Sequence, residues 1–428
     1  LVWVQVDEPR RAAALLAAAH HGRPADRLVL LGVTGTNGKT TTTYLLEAAL
    51  AASGLAAGLV GTIETRFAGR SEPAGLTTPD TVTLHALLAR MVEAGTTHVA
   101  MEVSSHALAL DRVAGIRFQG AAFSNLSQDH LDFHGTFEAY AEAKLRLFRE
   151  HIGPGAHAVV SASDPAGERF AATARAAGAR VVRFSAERGA EADLAVVEAR
   201  YAATGTAAML DLFGERVDAK TSLVGRHNLE NLLAAIGLAV AAGVGPSDAA
   251  RGACRLAAVP GRLERIPLPS GAAAFVDYCH TPDALDRAMT TLRELCAGRL
   301  WVVFGCGGDR DRGKRPIMGR LAARADRAIV TSDNPRSEPP EAIIEEIERG
   351  LIEAGMPRTT PAALPGAGRA WAREPDRAAA IAAAVRGAAR DDFVLVAGKG
   401  HETYQIVGDA RRGFDDGEEV RKAAGIDS

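Results

Sequence analysis

Cysteine is scarce: four residues in 428, Cys254, Cys279, Cys296 and Cys306, with no C-x-x-C pair among them. That pattern argues against a zinc site and fits a reduced, cytoplasmic setting. No charge of one sign prevails. Acidic residues number 52 and basic residues 49, so nothing suggests a nucleic-acid or membrane-surface partner. No long hydrophobic run occurs either. The most apolar stretch, residues 232–245, is too short and too rich in Ala and Gly to span a bilayer, and reads as a buried helix. No stretch of the sequence reads as a signal peptide, and none carries the N-K-x-D guanine motif of a GTP-binding switch.

What is present begins with Val33-Thr34-Gly35-Thr36-Asn37-Gly38-Lys39-Thr40-Thr41-Thr42. The common phosphate-loop pattern, G-x-x-x-x-G-K-[ST], wants a glycine where Val33 stands. The apolar run 28–33 predicts a strand and residues 40–52 predict a helix. A strand, a glycine turn and a helix N-terminus together make an anion site, because backbone N–H groups and the helix dipole both favour negative charge there. Lys39 can neutralise outer phosphates, and Thr40 can offer its hydroxyl to Mg²⁺. A Gly-rich turn with an exposed lysine is the bland alternative, and a small-molecule kinase the enzymatic one.

Strand-like and helix-like segments alternate along the chain. Residues 98–103, 121–123 and 158–160 read as buried strands, with helices at 81–94 and 137–149 between them. This is the rhythm of a parallel sheet covered on both faces. Residues 194–212 suggest an antiparallel hairpin and 227–242 a long helix. The pattern pauses at Pro260-Gly261. A second series follows, with strands at 275–277, 300–304, 327–331 and 393–397 and helices at 282–295, 340–355 and 377–388. Glu102 ends one buried strand, where an open α/β sheet places its ligand groups. His130 follows another strand end and is a candidate metal ligand, although a lone histidine is more often structural.

Several motifs in order resemble the Mur ligases, ATP-dependent amino-acid-adding enzymes of peptidoglycan precursor synthesis. They are Gly35-Thr36-Asn37-Gly38-Lys39-Thr40-Thr41, Thr77-Thr78-Pro79, Glu102-Val103-Ser104-Ser105-His106, Asp129-His130-Leu131-Asp132 and Gly225-Arg226-His227-Asn228-Leu229-Glu230-Asn231. In the second half come His280-Thr281-Pro282-Asp283, Gly307-Gly308-Asp309-Arg310, Asp333-Asn334-Pro335-Arg336 and Gly398-Lys399-Gly400-His401-Glu402. The resemblance implies an α/β chain with a P-loop ATPase domain on a mostly parallel sheet, residues 27–259, and a Rossmann-like amino-acid-binding domain, residues 260–428. Residues 1–26 then read as a remnant of an N-terminal domain and linker. Leu1 in place of Met, Trp3, Val4 and the helix-like segment 10–19 fit that expectation, as does the shortness of the segment before the loop, too small for a domain with its own core.

The resemblance also implies chemistry. ATP would convert the D-glutamate γ-carboxylate of UDP-N-acetylmuramoyl-L-alanyl-D-glutamate to an acyl phosphate, and an amino acid would attack it. Asp333-Asn334-Pro335-Arg336 is similar to the version in members that take meso-diaminopimelate, whose extra carboxylate a guanidinium reads with two parallel hydrogen bonds. Arg310, Asp333, Asn334, Pro335, Arg336, Gly398 and Glu402 would surround that amino acid. Residues 35–41 would hold ATP, with Asn228 and Asn231 near the base. Lys39, with two Mg²⁺ ions, would offset the meeting of two anions. One ion would sit on Thr40 and Glu102, the other on Glu102, His130 and Lys144. An ammonium repels Mg²⁺, so Lys144 would be carbamylated by CO₂, which requires a neutral amine and hence a lowered pKa. Thr77, Thr78, Ser104 and Arg112 would bind the nucleotide-sugar peptide. Two departures stand out: Leu110 where the family often has Gln, and Ser161 and Ser163 where relatives commonly have Asn and Asp. The alternatives are another Mur ligase, a folylpolyglutamate synthase, or a catalytically silent nucleotide-binding fragment.

Overall fold

The computed structural model describes residues 5–426; Leu1, Trp3 and Val4 of the expected link lie outside them. Two compact units result, one reaching Tyr201 and resuming over Gly205–Ala257, the other comprising Ala202–Thr204 and the chain from Ala258 on.

The first unit opens with α1 (Pro9–His20), β1 (Val29–Thr34), α2 (Lys39–Ala52), β2 (Ala57–Val60), β3 (Glu64–Phe67), β4 (Arg70–Pro73), α3 (Thr81–Glu93), β5 (His98–Glu102) and α4 (Ser105–Ala109). It continues with β6 (Gly120–Phe123), α5 (Leu131–His134), α6 (Phe137–Glu150), β7 (His157–Ser161), α7 (Gly167–Ala176) and β8 (Arg180–Ser185). Strands β9 (Leu194–Ala202), β10 (Gly205–Leu212) and β11 (Glu215–Thr221) precede the helices α8 (Arg226–Ala241) and α9 (Pro246–Ala253). The strands form one sheet in the order β11-β10-β9-β8-β7-β6-β1-β5-β2-β3-β4. Its centre is parallel: β1 lies between β5 and β6, β2 flanks β5, and β7 and β8 follow β6. Antiparallel strands finish both edges.

Local chemistry explains the elements. β1 is buried along nearly its whole length, as a strand covered on both faces should be. α3 starts where the Asp80 side chain accepts from Val82 and Thr83 N–H, and α6 where Thr136 accepts from Ala139 N–H. In α6, Tyr140, Leu147 and Phe148 face the core while Glu138, Glu142 and Arg149 stay outside, an amphipathic stripe at helical spacing.

The second unit carries β12 (Glu264–Pro267), β13 (Ala273–Asp277), α10 (Pro282–Leu295), β14 (Leu300–Phe304), α11 (Lys314–Ala322), β15 (Arg327–Val330) and α12 (Pro340–Glu353). β16 (Ala370–Arg373), α13 (Arg377–Gly387), β17 (Phe393–Ala397), β18 (Tyr404–Val407), β19 (Ala410–Gly413) and α14 (Asp416–Ala424) complete it. The main sheet runs β12-β13-β17-β14-β15-β16, parallel except at β12. Adjacent residues point to opposite faces. Phe275, Val302 and Leu395 pack with Leu285, Met318 and Ile347 on one side. Val276, Val303 and Val396 pack with Ile381, Ala384 and Val420 on the other.

In both units the chain leaves the parallel strands at the same edge of the sheet. β1, β2, β5 and β6 release the loops after Thr34, Val60, Glu102 and Phe123. β13, β14, β15 and β17 release those after Asp277, Phe304, Val330 and Ala397. Ligand groups in open α/β sheets gather at such edges.

Candidate active site

The phosphate-loop segment passes from β1 into α2 through two glycines with positive φ, Gly35 and Gly38. At Gly38, φ is 89°, and an added Cβ would stand 2.3 Å from Asn231 Oδ1. Backbone freedom and close approach therefore both demand glycine there. Asn125 clasps the turn from β6: its Oδ1 accepts from Asn37 N–H at 2.9 Å and its Nδ2 donates to Asn37 O at 3.0 Å. Ser124 Oγ donates to the same carbonyl at 2.6 Å. Thr36 N–H bonds to Asn125 O, and its hydroxyl lies 3.1 Å from Tyr140 OH. Thr40 and Thr41 are buried in the first turn of α2.

Lys39 Nζ donates to Gly35 O and Thr36 O, both at 2.9 Å. Lys144, from α6, reaches the same Gly35 O at 2.8 Å while its side chain is buried and its Nζ sits 4.4 Å from the Tyr140 ring centre. Burial first, and then the neighbouring Lys39 charge, hold its pKa well below the ordinary lysine value. His130 takes a left-handed backbone (φ 54°) at the start of α5. Its ring is exposed, 3.4 Å from Asp129 Oδ2, and edge-on to His106 at 4.7 Å between centres. Burial, then the charges of His130 and Arg112, push His106 down to about 4.

Glu102 is wholly buried at the end of β5. Thr62 fixes both of its oxygens, through its N–H at 2.8 Å and its hydroxyl at 2.9 Å. The same hydroxyl lies 3.1 Å from Thr77 Oγ1. Thr78 Oγ1 donates to Glu102 O at 2.8 Å and accepts from Ser104 N–H at 3.1 Å. Arg112 donates to Thr78 O at 3.0 Å. The four residues expected to hold one substrate thus form a single hydrogen-bonded cluster joined to Glu102. Thr62 carries no motif; its only sequence signal is its place after a short apolar run.

In the second unit, Asn334 Nδ2 donates to Glu402 Oε2 at 2.8 Å. Its Oδ1 accepts from Ile406 N–H at 2.9 Å and from Lys399 Nζ at 3.2 Å. Gly398 has φ 119°, and a Cβ there would fall 2.5 Å from Asp333 Oδ2; the close approach leaves no room for a side chain. Pro335 is buried beside Gly308. Arg336, φ 53°, donates from NH1 to Gly308 O at 2.8 Å, and its backbone pairs with the Val407 strand. Asp333, Asn334, Pro335, Arg336, Gly398 and Glu402 therefore converge. Arg310 is exposed and bonded to its neighbour's carbonyl, Asp309 O, and its Cγ flanks Gly307 as Arg336 NH1 does.

Comparison with known proteins accounts for this pairing of units. The Mur ligase middle domain matches residues 33–239, and the Mur ligase, glutamate ligase domain matches residues 261–400. The UDP-N-acetylmuramoyl-L-alanyl-D-glutamate–2,6-diaminopimelate ligase of Geobacter metallireducens is 43% identical over 432 residues, covering 99% of this chain and 83% of its own. The ligase of that name from Gloeobacter violaceus is 46% identical over 425 residues, covering 98% and 82%. The chain belongs to the Mur ligase family. A solved ligase of the same name superposes with TM-score 0.69 at 34% identity, over 99% of this chain and 84% of that one. Mycobacterium tuberculosis folylpolyglutamate synthase, complexed with ADP and AMPPCP, gives 0.74 at 19% identity over 97% and 96%, a shared fold.

For this Mur ligase, the structure places Asn228 and Asn231 behind the loop. Both are buried; Asn231 Nδ2 donates to Asn228 Oδ1 at 3.1 Å, and Asn228 Nδ2 to Val224 O at 2.8 Å. Leu110 closes the C-terminal end of α4. Ser163 Oγ donates to Glu230 Oε1 at 2.9 Å. Among the described residues, no group of three or more His, Cys, Asp or Glu side chains is placed to hold a metal, and no helix is long and apolar enough to cross a membrane.

Proposed function

We propose that this chain is an ATP-dependent ligase that adds meso-diaminopimelate to the D-glutamate γ-carboxylate of UDP-N-acetylmuramoyl-L-alanyl-D-glutamate, a step of peptidoglycan precursor synthesis. The observation that carries this reading is the 43–46% identity, across nearly the whole chain, to ligases named for that reaction. The geometry supports it. Residues 35–41 offer ATP a helix N-terminus and the Lys39 ammonium, a setting that favours phosphoryl transfer by positioning and charge. The carboxylate becomes an acyl phosphate as ADP leaves. The amine attacks the acyl carbon, loses a proton, and the amide forms as phosphate departs. Thr77, Thr78, Ser104 and Arg112 hold the peptide that carries the carboxylate.

The donor set fits Mg²⁺ only in part as it stands. Glu102 keeps lone pairs beyond those used by Thr62, and Thr40 with Glu102 would hold one ion, Glu102 and His130 a second. Lys144 as an ammonium is excluded from ligation. Its burial and lowered pKa favour the neutral amine, which adds to CO₂ to give a carbamate and a proton; the carbamate oxygens suit a hard cation. Bound Mg²⁺ would supply positive charge to the phosphoryl oxygens.

The second unit reads the amino acid. Asp333 and Glu402 suit its ammonium groups, and Arg336, with Arg310 at the margin, its distal carboxylate. ADP release dependent on the amino acid tests the assignment: meso-diaminopimelate should support it far better than L-lysine, and a preference for lysine overturns it.

A further inference from the structure

Lys399 lies between two residues expected to touch the amino acid, yet its side chain is 0% exposed. Its ammonium donates to Glu402 Oε2 at 3.1 Å and to Asn334 Oδ1 at 3.2 Å. It also lies 5.5 Å from the centre of the Tyr404 ring, within range of a cation–π contact. Asn334 in turn donates to the same Glu402 oxygen. Lys399, Asn334 and Glu402 thus form a closed ring of three hydrogen bonds.

The ring has two consequences. The Asn334 amide has a fixed orientation, since its oxygen already serves Lys399 and Ile406 N–H while its nitrogen must face the carboxylate. The Glu402 carboxylate has one oxygen committed twice, whereas Oε1 has no hydrogen-bond partner among the described residues. Glu402 is 16% exposed, so the free oxygen belongs to the group that meets solvent or ligand.

We propose that Lys399 is a positioning residue for amino-acid recognition: its buried ammonium locks Asn334 and Glu402 together and leaves Glu402 Oε1 as the acceptor for the incoming ammonium group. A buried ammonium retained at this spot is costly unless it is fully paired, and here its partners are the very groups assigned to the amino acid. The inference rests on the amino-acid reading of the second unit.

The test is steady-state kinetics of the full chain with Lys399→Met, which keeps most of the side-chain volume and removes the charge. KM for meso-diaminopimelate should rise tenfold or more, with KM for ATP within twofold of the parent. The effect of Glu402→Gln should shrink in the Lys399→Met background, because the two changes break one ring. An amino-acid KM that moves less than twofold, or KM values that all rise together as a general loss of structure would give, overturns the proposal. Should Lys399→Met fail to fold, Lys399→Arg, which keeps the cation but alters its reach, is measured in the same way and judged by the same selectivity. If the parent itself does not use meso-diaminopimelate, the functional reading fails instead, and the two failures are told apart.

Discussion

In the first unit two lysine side-chain nitrogens, of Lys39 and Lys144, point at the same carbonyl oxygen of Gly35. In the second, the buried ammonium of Lys399 already faces a carboxylate and an amide. The first arrangement brings two lysines to one oxygen, and burial first, then the Lys39 charge, holds the Lys144 pKa down. The second arrives nearly neutral and prearranged, as suits a zwitterion whose charges must be matched in position rather than merely in sum. One unit invests in charge, the other in geometry, so damage to each should have a different signature.

The largest effect should follow from Lys144→Ala. A group that stabilises developing charge contributes on the order of 10²–10³ in rate, and the variant should lose at least that in ADP release. A small added carboxylate should restore part of it. Unchanged turnover would erase the contrast between the units. Arg336→Ala comes next. Loss of a charge-assisted bidentate pair costs roughly 1.5–3 kcal/mol, at least tenfold, and it should appear with meso-diaminopimelate far more than with L-lysine. Equal losses for both would mean that the guanidinium does not read the distal carboxylate.

The smallest effect concerns pH. Burial first, then the charges of Arg262, His280 and Lys399, push His401 down to about 3 from its ordinary 6.5. The unfolded chain therefore takes up this proton first as pH falls. The stabilisation is complete above about 6.5 and is lost progressively towards 3. Tm followed from pH 7 to 4 should drop less steeply in His401→Gln than in the parent; parallel curves would remove His401 from the account.

Much of the fold was legible because its strands are buried on both faces and its helices are capped and striped. β1, β5, β14 and β17 read as apolar runs, and α6 as an amphipathic helix behind Thr136. Elements without that signal were missed. β4 is largely exposed and β19 wholly so, leaving no alternation to detect. β8 carries Arg180 and Arg183 along a partly covered strand. Within the site, the motifs stand in chain order, and Thr77, Thr78, Ser104 and Arg112, proposed to hold the peptide, share a set of hydrogen bonds with Thr62 and Glu102. Thr62 was hidden because nothing local distinguishes a threonine that orients a carboxylate from one that caps a turn. Asn228 and Asn231 are expected near the nucleotide base; the structure adds that Asn231 packs on Gly38, a contact that chain order alone does not show.

That last contact ties the loop to a distant part of the chain. Asn231 packs on Gly38 and accepts from Thr42 Oγ1 at 3.4 Å across 189 residues of sequence. A contact so remote closes a long loop of chain, at an entropic expense. The anion cradle therefore depends on a residue 189 positions further along the chain. A nascent chain that has emerged through its entire loop motif, but not yet through α8, possesses the signature of a nucleotide-binding protein without the prop that shapes it.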